Sequence, residues 1–123
     1  MCKAIVLTAV LLVMFDSIYL TIMTPYFNKQ IASIQGSKIQ MNIPGAILCY
    51  LALIFGLYYF IIKDKRSIMD AFLFGLVIYA VYEFTTIALL KNWSWTTVAI
   101  DTTWGGILFA ITTMMVYKLS KYI

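Results

Sequence analysis

Four stretches of about 20 mostly apolar residues decide what this chain can become. They lie at roughly residues 4–26, 44–62, 67–90 and 96–119. A helix crossing hydrocarbon needs about that length, and it satisfies its own backbone polar groups where no water is present. A soluble helix this long shows a polar face, which these segments mostly lack. Only 11% of the residues are charged and 63% are hydrophobic, whereas soluble domains carry about 25% charge. The sequence therefore predicts an all-α fold: an integral membrane four-helix bundle with short loops, formed as a single transmembrane domain by residues 1–123.

Local signals set the segment ends. Thr24-Pro25 marks the close of the first span, since proline cannot donate to a helix. Asn42 fits a cap for the second, with Pro44 in its first turn. Ser67-Ile68-Met69-Asp70 fits a capping box with Asp in place of Glu at the third. Residues 28–43 form the longest connection and contain Gly36; residues 91–95 form a hairpin with aromatic anchors, as at a headgroup boundary. The first span begins with Met1-Cys2-Lys3, and no small-x-small pattern follows its apolar core, so it reads as a retained span.

Cations orient the bundle. Lys3, Lys63, Lys65, Arg66, Lys118 and Lys121 fall on one side; Lys29, Lys38 and Lys91 fall on the other. The positive-inside rule then predicts both termini in the cytoplasm, in a cell membrane or a viral envelope or inner membrane. The net charge of +4 forms no basic face, which argues against nucleic acid and for the lipid bilayer as partner. There is no His, and Cys2 and Cys49 stand apart, so no metal or redox spacing is present. A sequon, Asn92-Trp93-Ser94, lies on the expected outer side, close to the membrane.

Three acids interrupt the apolar segments: Asp16, Glu83 and Asp101. An Asp at a span centre costs about 2.5–3.5 kcal/mol on insertion scales, and such groups face the bundle interior. Counting from the expected outer ends at 1.5 Å per residue puts them about 16, 10 and 8 Å deep. Three different helices thus deliver acids to similar levels, which predicts a shared polar pocket. Helical neighbours three and four positions away offer donors: Tyr19 near Asp16, Tyr79 and Thr86 near Glu83, Thr97 and Trp104 near Asp101. No Lys or Arg lies at the acids' level inside the spans to neutralise them, so protons are expected to be shared among them. The candidate binding residues are Asp16, Tyr19, Tyr79, Glu83, Thr86, Asp101 and Trp104. The competing reading makes the same acids interhelical glue, at about 0.6–2 kcal/mol each. Ala71-x-x-x-Gly75 and Gly106-x-x-x-Ala110 mark where helices approach closely.

Asp16-x-x-Tyr19-Leu20, Pro44-Gly45-Ala46 with Tyr50, Tyr79-x-x-Tyr82-Glu83-Phe84-Thr85-Thr86 with Ala88, and Asp101-x-x-Trp104-Gly105 resemble the small four-span membrane proteins grouped as domain of unknown function 2177. The likeness runs from the first span to the fourth, and the last two motifs are its most specific part. Members tend to have Asp-Leu-Thr-Asn where this chain has Glu83-Phe84-Thr85-Thr86, so the acid is kept and an amide is lost. The resemblance implies the four-span fold, a bacterial or large-DNA-virus setting and the positions above; it implies no activity.

Three functions compete. A small transporter or channel-like protein would use the acids for protons, a cation or a small amine. Four spans are few for alternating access, so this reading expects a homo-oligomer. A structural or assembly protein of a cell or viral membrane would use the acids only to hold helices together. An intramembrane lipid-modifying enzyme would use paired carboxylates as acid and base, or to hold a divalent metal. With no nucleophile or cofactor motif, the sequence leans away from an enzyme.

Overall fold

The computed structural model describes residues 2–35, 43–89 and 93–121. The Asn42 cap, Gly36, Lys38, Lys91 and the sequon's Asn92 lie outside the described residues. Four helices follow in order: α1 Cys2–Gln35, α2 Ile43–Leu57 continued by a π-helical turn Tyr58–Ile62, α3 Ile68–Leu89 and α4 Trp95–Leu119. All four are long and apolar enough to cross a membrane, and among the described residues there is no strand. The chain is an integral, multi-pass membrane protein by these features. Large apolar side chains such as Ile22, Leu48, Val81 and Leu89 are exposed along the helices, as lipid-facing positions should be.

Two features depart from the sequence expectation. Helix α1 continues through Pro25 to Gln35 instead of closing there. Proline removes one backbone bond, and near the headgroup level water or a neighbouring side chain can satisfy the freed carbonyl. The π turn of α2 was not legible either; it is closed by Lys63 N–H donating to Tyr58 C=O at 2.8 Å. The caps follow simpler rules. Ser67 Oγ accepts from Asp70 N–H at 3.0 Å, as its box predicts. Ser94 Oγ accepts from Thr97 N–H at 3.0 Å and starts α4 one residue earlier than the apolar pattern implied.

Packing is uneven around the bundle. α3 and α4 form by far the most extensive pair, α1 packs on α4, and α2 sits against α1. The α3–α4 seam is made by glycine. A Cβ on Gly75 would lie 2.2 Å from the Gly105 carbonyl oxygen, and a Cβ on Gly106 would lie 2.9 Å from Leu76 Cγ. No side chain fits there, so the two backbones touch. Described contacts between α2 and α3 centre instead on Phe74, whose ring lies 5.7 Å from Phe60. The apolar core of Leu11, Leu12, Leu57, Ile61, Leu108 and Phe109 fills the bundle below the acids. At the far end the turn after α2 is pinned by Tyr117 O–H donating to Arg66 C=O at 2.7 Å. Ala4, Lys63 and Ser120 line one hollow there, so both ends of the chain lie beside this turn.

Candidate functional site: an acid-lined cavity

The acid level is assembled across helices. Asp16 on α1 is buried and accepts two bonds, from Tyr50 O–H of α2 at 2.6 Å and from Trp104 Nε1–H of α4 at 3.0 Å. Asp101 on α4 accepts from Tyr19 O–H of α1 at 3.2 Å. Glu83 on α3 is 1% exposed and accepts from Trp93 Nε1–H at 3.2 Å. Glu83 and Asp101 are also close electrostatic neighbours across the α3–α4 seam. Each of these bonds ties an acid to a donor from another element, so it fixes both its partners.

α1 and α4 exchange donors. Tyr19, one turn from Asp16, serves Asp101; Trp104, one turn from Asp101, serves Asp16. The two donor rings stack on each other, with centroids 4.5 Å apart and planes within 4°. Stacked aromatics contribute beyond their buried area. A reciprocal exchange of this kind sets the register of α1 against α4.

Above this junction the three acids line one cavity of about 240 Å3. Its wall is completed by Leu20 and the aromatic side chains Tyr19, Phe27, Tyr79, Tyr82 and Trp93. The cavity sits toward the end of the bundle that carries the α3–α4 connection. Among the described residues no three His, Cys, Asp or Glu side chains converge as ligands for one metal ion, so the acids line a space without forming a chelate. Among the described residues no Lys or Arg contributes to the wall. Two facing acids can share a proton or receive a small cation between them.

Residue by residue, the structure brings Asp16, Tyr19, Tyr79, Glu83 and Asp101 to the cavity wall, with Trp104 directly behind Asp16. Thr86 is not there. Its hydroxyl donates to Tyr82 C=O on its own helix at 2.8 Å, the nearest acceptor for a helical Thr, and it faces a lateral groove with Val81 and Leu89. Tyr79 is not the donor to Glu83 that the helical spacing implied; its ring packs over Gly105 and edge-on to Phe109. Thr97 shares its hydroxyl with Tyr26 at 2.7 Å. Tyr50 and Trp93 were missed as donors. Tyr50 could have been found through the Pro44-Gly45-Ala46 motif that accompanies it. Trp93 offered only the signal of an aromatic at a headgroup boundary.

A family described as predicted membrane protein (DUF2177) matches residues 1–118. No curated protein and no solved structure matches the chain. The chain belongs to this family of predicted membrane proteins.

Proposed function

From that membership and the cavity above, we propose a small transporter or channel-like membrane protein that takes a proton or a small amine into the acid-lined cavity. One observation carries the reading: Asp16, Glu83 and Asp101 from three helices border one hollow whose remaining wall, apart from Leu20, is aromatic. Carboxylates attract a cation, and ring faces receive ammonium groups where water is scarce. The cavity, at about 240 Å3, is below the usual volume of a drug-sized pocket and suits a small guest. Orientation by the positive-inside rule puts both termini in the cytoplasm and opens the cavity outward. A single bundle of four helices offers little room for alternating access, so the working unit in this reading is a homo-oligomer.

The test is uptake of methylammonium by proteoliposomes holding the full chain. Asp101→Asn is expected to lower uptake about tenfold, the equivalent of losing one charge-assisted contact. Equal uptake by parent and variant, or none by either, overturns the transport reading. A second reading, a structural membrane protein, draws on Asp16, whose two oxygens already hold Tyr50 and Trp104. It predicts that Asp101→Asn leaves the biological role intact while substitutions at Gly75 do not.

A further inference from the structure

On the opposite end of the bundle a groove of about 490 Å3 runs between the π turn of α2 and the first half of α3. It exists because these two helices meet mainly through Phe74 and leave the space beside it open. Its lining changes along its length. Phe60, Leu73, Phe74 and Val77 make an apolar trough on the lipid-facing side. Asp64, Arg66 and Asp70 close it at the α2–α3 turn, where the spans end and headgroups begin.

The charges at that lip alternate in sign. Arg66 Nη1 lies 3.5 Å from Asp70 Oδ2, with the two side chains 56% and 43% exposed. An exposed pair of this kind is worth little and opens readily to another partner. Lys63 lies over the Tyr59 ring, its Nζ 4.6 Å from the centroid, and lines the neighbouring hollow with Ala4 and Ser120. The lip thus carries one positive group, Arg66, between two negative ones, Asp64 and Asp70. A purely anionic headgroup would meet the two carboxylates, and a purely apolar guest would leave all three charges unused.

We propose that this groove binds a zwitterionic aminophospholipid, with one acyl chain in the trough and the headgroup across the lip. Arg66 takes the phosphodiester, as a guanidinium group does. Asp64 and Asp70 take the primary ammonium. The π turn places Tyr59 and Phe60 side by side at the groove, and such turns recur at functional sites. This site is separate from the acid cavity and stands whether or not that cavity carries a cation.

Competition between two lipids tests it. The full chain is reconstituted in nanodiscs containing equal phosphatidylethanolamine and phosphatidylglycerol, then released for native mass spectrometry. One phosphatidylethanolamine per chain is expected, enriched about five-fold over phosphatidylglycerol, the effect of one charge near a membrane surface. Asp64→Asn combined with Asp70→Asn should invert that preference, and Arg66→Gln should lower retention of both lipids about five-fold. These side chains are exposed, and a thermal melt equal to the parent's checks that each variant is folded. Equal retention of the two lipids by the parent, or an unchanged preference in the double variant, overturns the proposal. So does a lipid-free dimer, which would assign the groove to a second copy of the chain.

Discussion

Helix α4 turns two unlike faces to its neighbours. Toward α3 it offers Gly105, whose carbonyl meets the Gly75 backbone, and Gly106, against which Leu76 and Phe72 pack. Toward α1 it offers Asp101 and Trp104, which trade hydrogen bonds with Tyr19 and Asp16. In lipid the hydrophobic effect does not drive helices together, so contact must come from close packing or from polar bonds. The glycine seam takes the first route and excludes everything else. The acid junction takes the second, and its bulky polar side chains hold the helices far enough apart to leave a cavity. One helix thus supplies rigidity on one side and room for chemistry on the other.

Substitutions separate the two faces, and the seam should show the larger effect. Gly75→Leu drives carbon into the Gly105 carbonyl, which cannot move aside. Overpacking costs about 1–3 kcal/mol where side chains can yield, and here a loss at or beyond the upper end is expected, seen as a lower melting temperature in detergent and a broken elution profile. Gly56→Ala is the control, because its new Cβ meets only the Phe74 ring, at 3.6 Å. A Gly75→Leu protein as stable as the Gly56→Ala protein would remove the seam from the account.

The acid junction should respond less and in a coupled way. Trp104→Phe takes one donor from buried Asp16 and should destabilise by about 1–2 kcal/mol. Tyr19→Phe takes the donor from Asp101 and should cost about 0.6 kcal/mol. Because the two rings stack, the double variant should differ from the sum of the singles by at least about 0.5 kcal/mol. Strict additivity in thermal melts would mean that the exchange does not act as one unit. The smallest effect belongs to Thr86→Val, within about 0.5 kcal/mol, with methylammonium uptake unchanged, since that hydroxyl bonds only its own helix.

The two faces also differ in how far the sequence disclosed them. Ala71-x-x-x-Gly75 and Gly106-x-x-x-Ala110 pointed to the seam because small residues at helical spacing leave few other reasons to exist. The span count followed from apolar length, and the similar depth of the three acids followed from the rise per residue. The donors did not follow. Helical spacing reports only neighbours on the same helix, so it paired Tyr19 with Asp16 and Trp104 with Asp101, whereas the structure crosses both bonds over. Tyr50 and Trp93 reach their acids from another helix and from a loop, a relation no periodicity encodes. Pro25 misled for a related reason: its effect depends on what surrounds the freed carbonyl, which is a tertiary property.

The claim that the acid level receives a small cation has a built-in reporter. Trp93 and Trp104 donate to Glu83 and Asp16, so a cation entering between the carboxylates must change the surroundings of both indoles. Titration of the purified full chain with methylammonium should give a saturable change in tryptophan fluorescence, and the change should disappear in the Glu83→Gln, Asp101→Asn double variant at an unchanged melting temperature. A parent protein with no saturable response, or a folded double variant that responds as the parent does, would contradict the account.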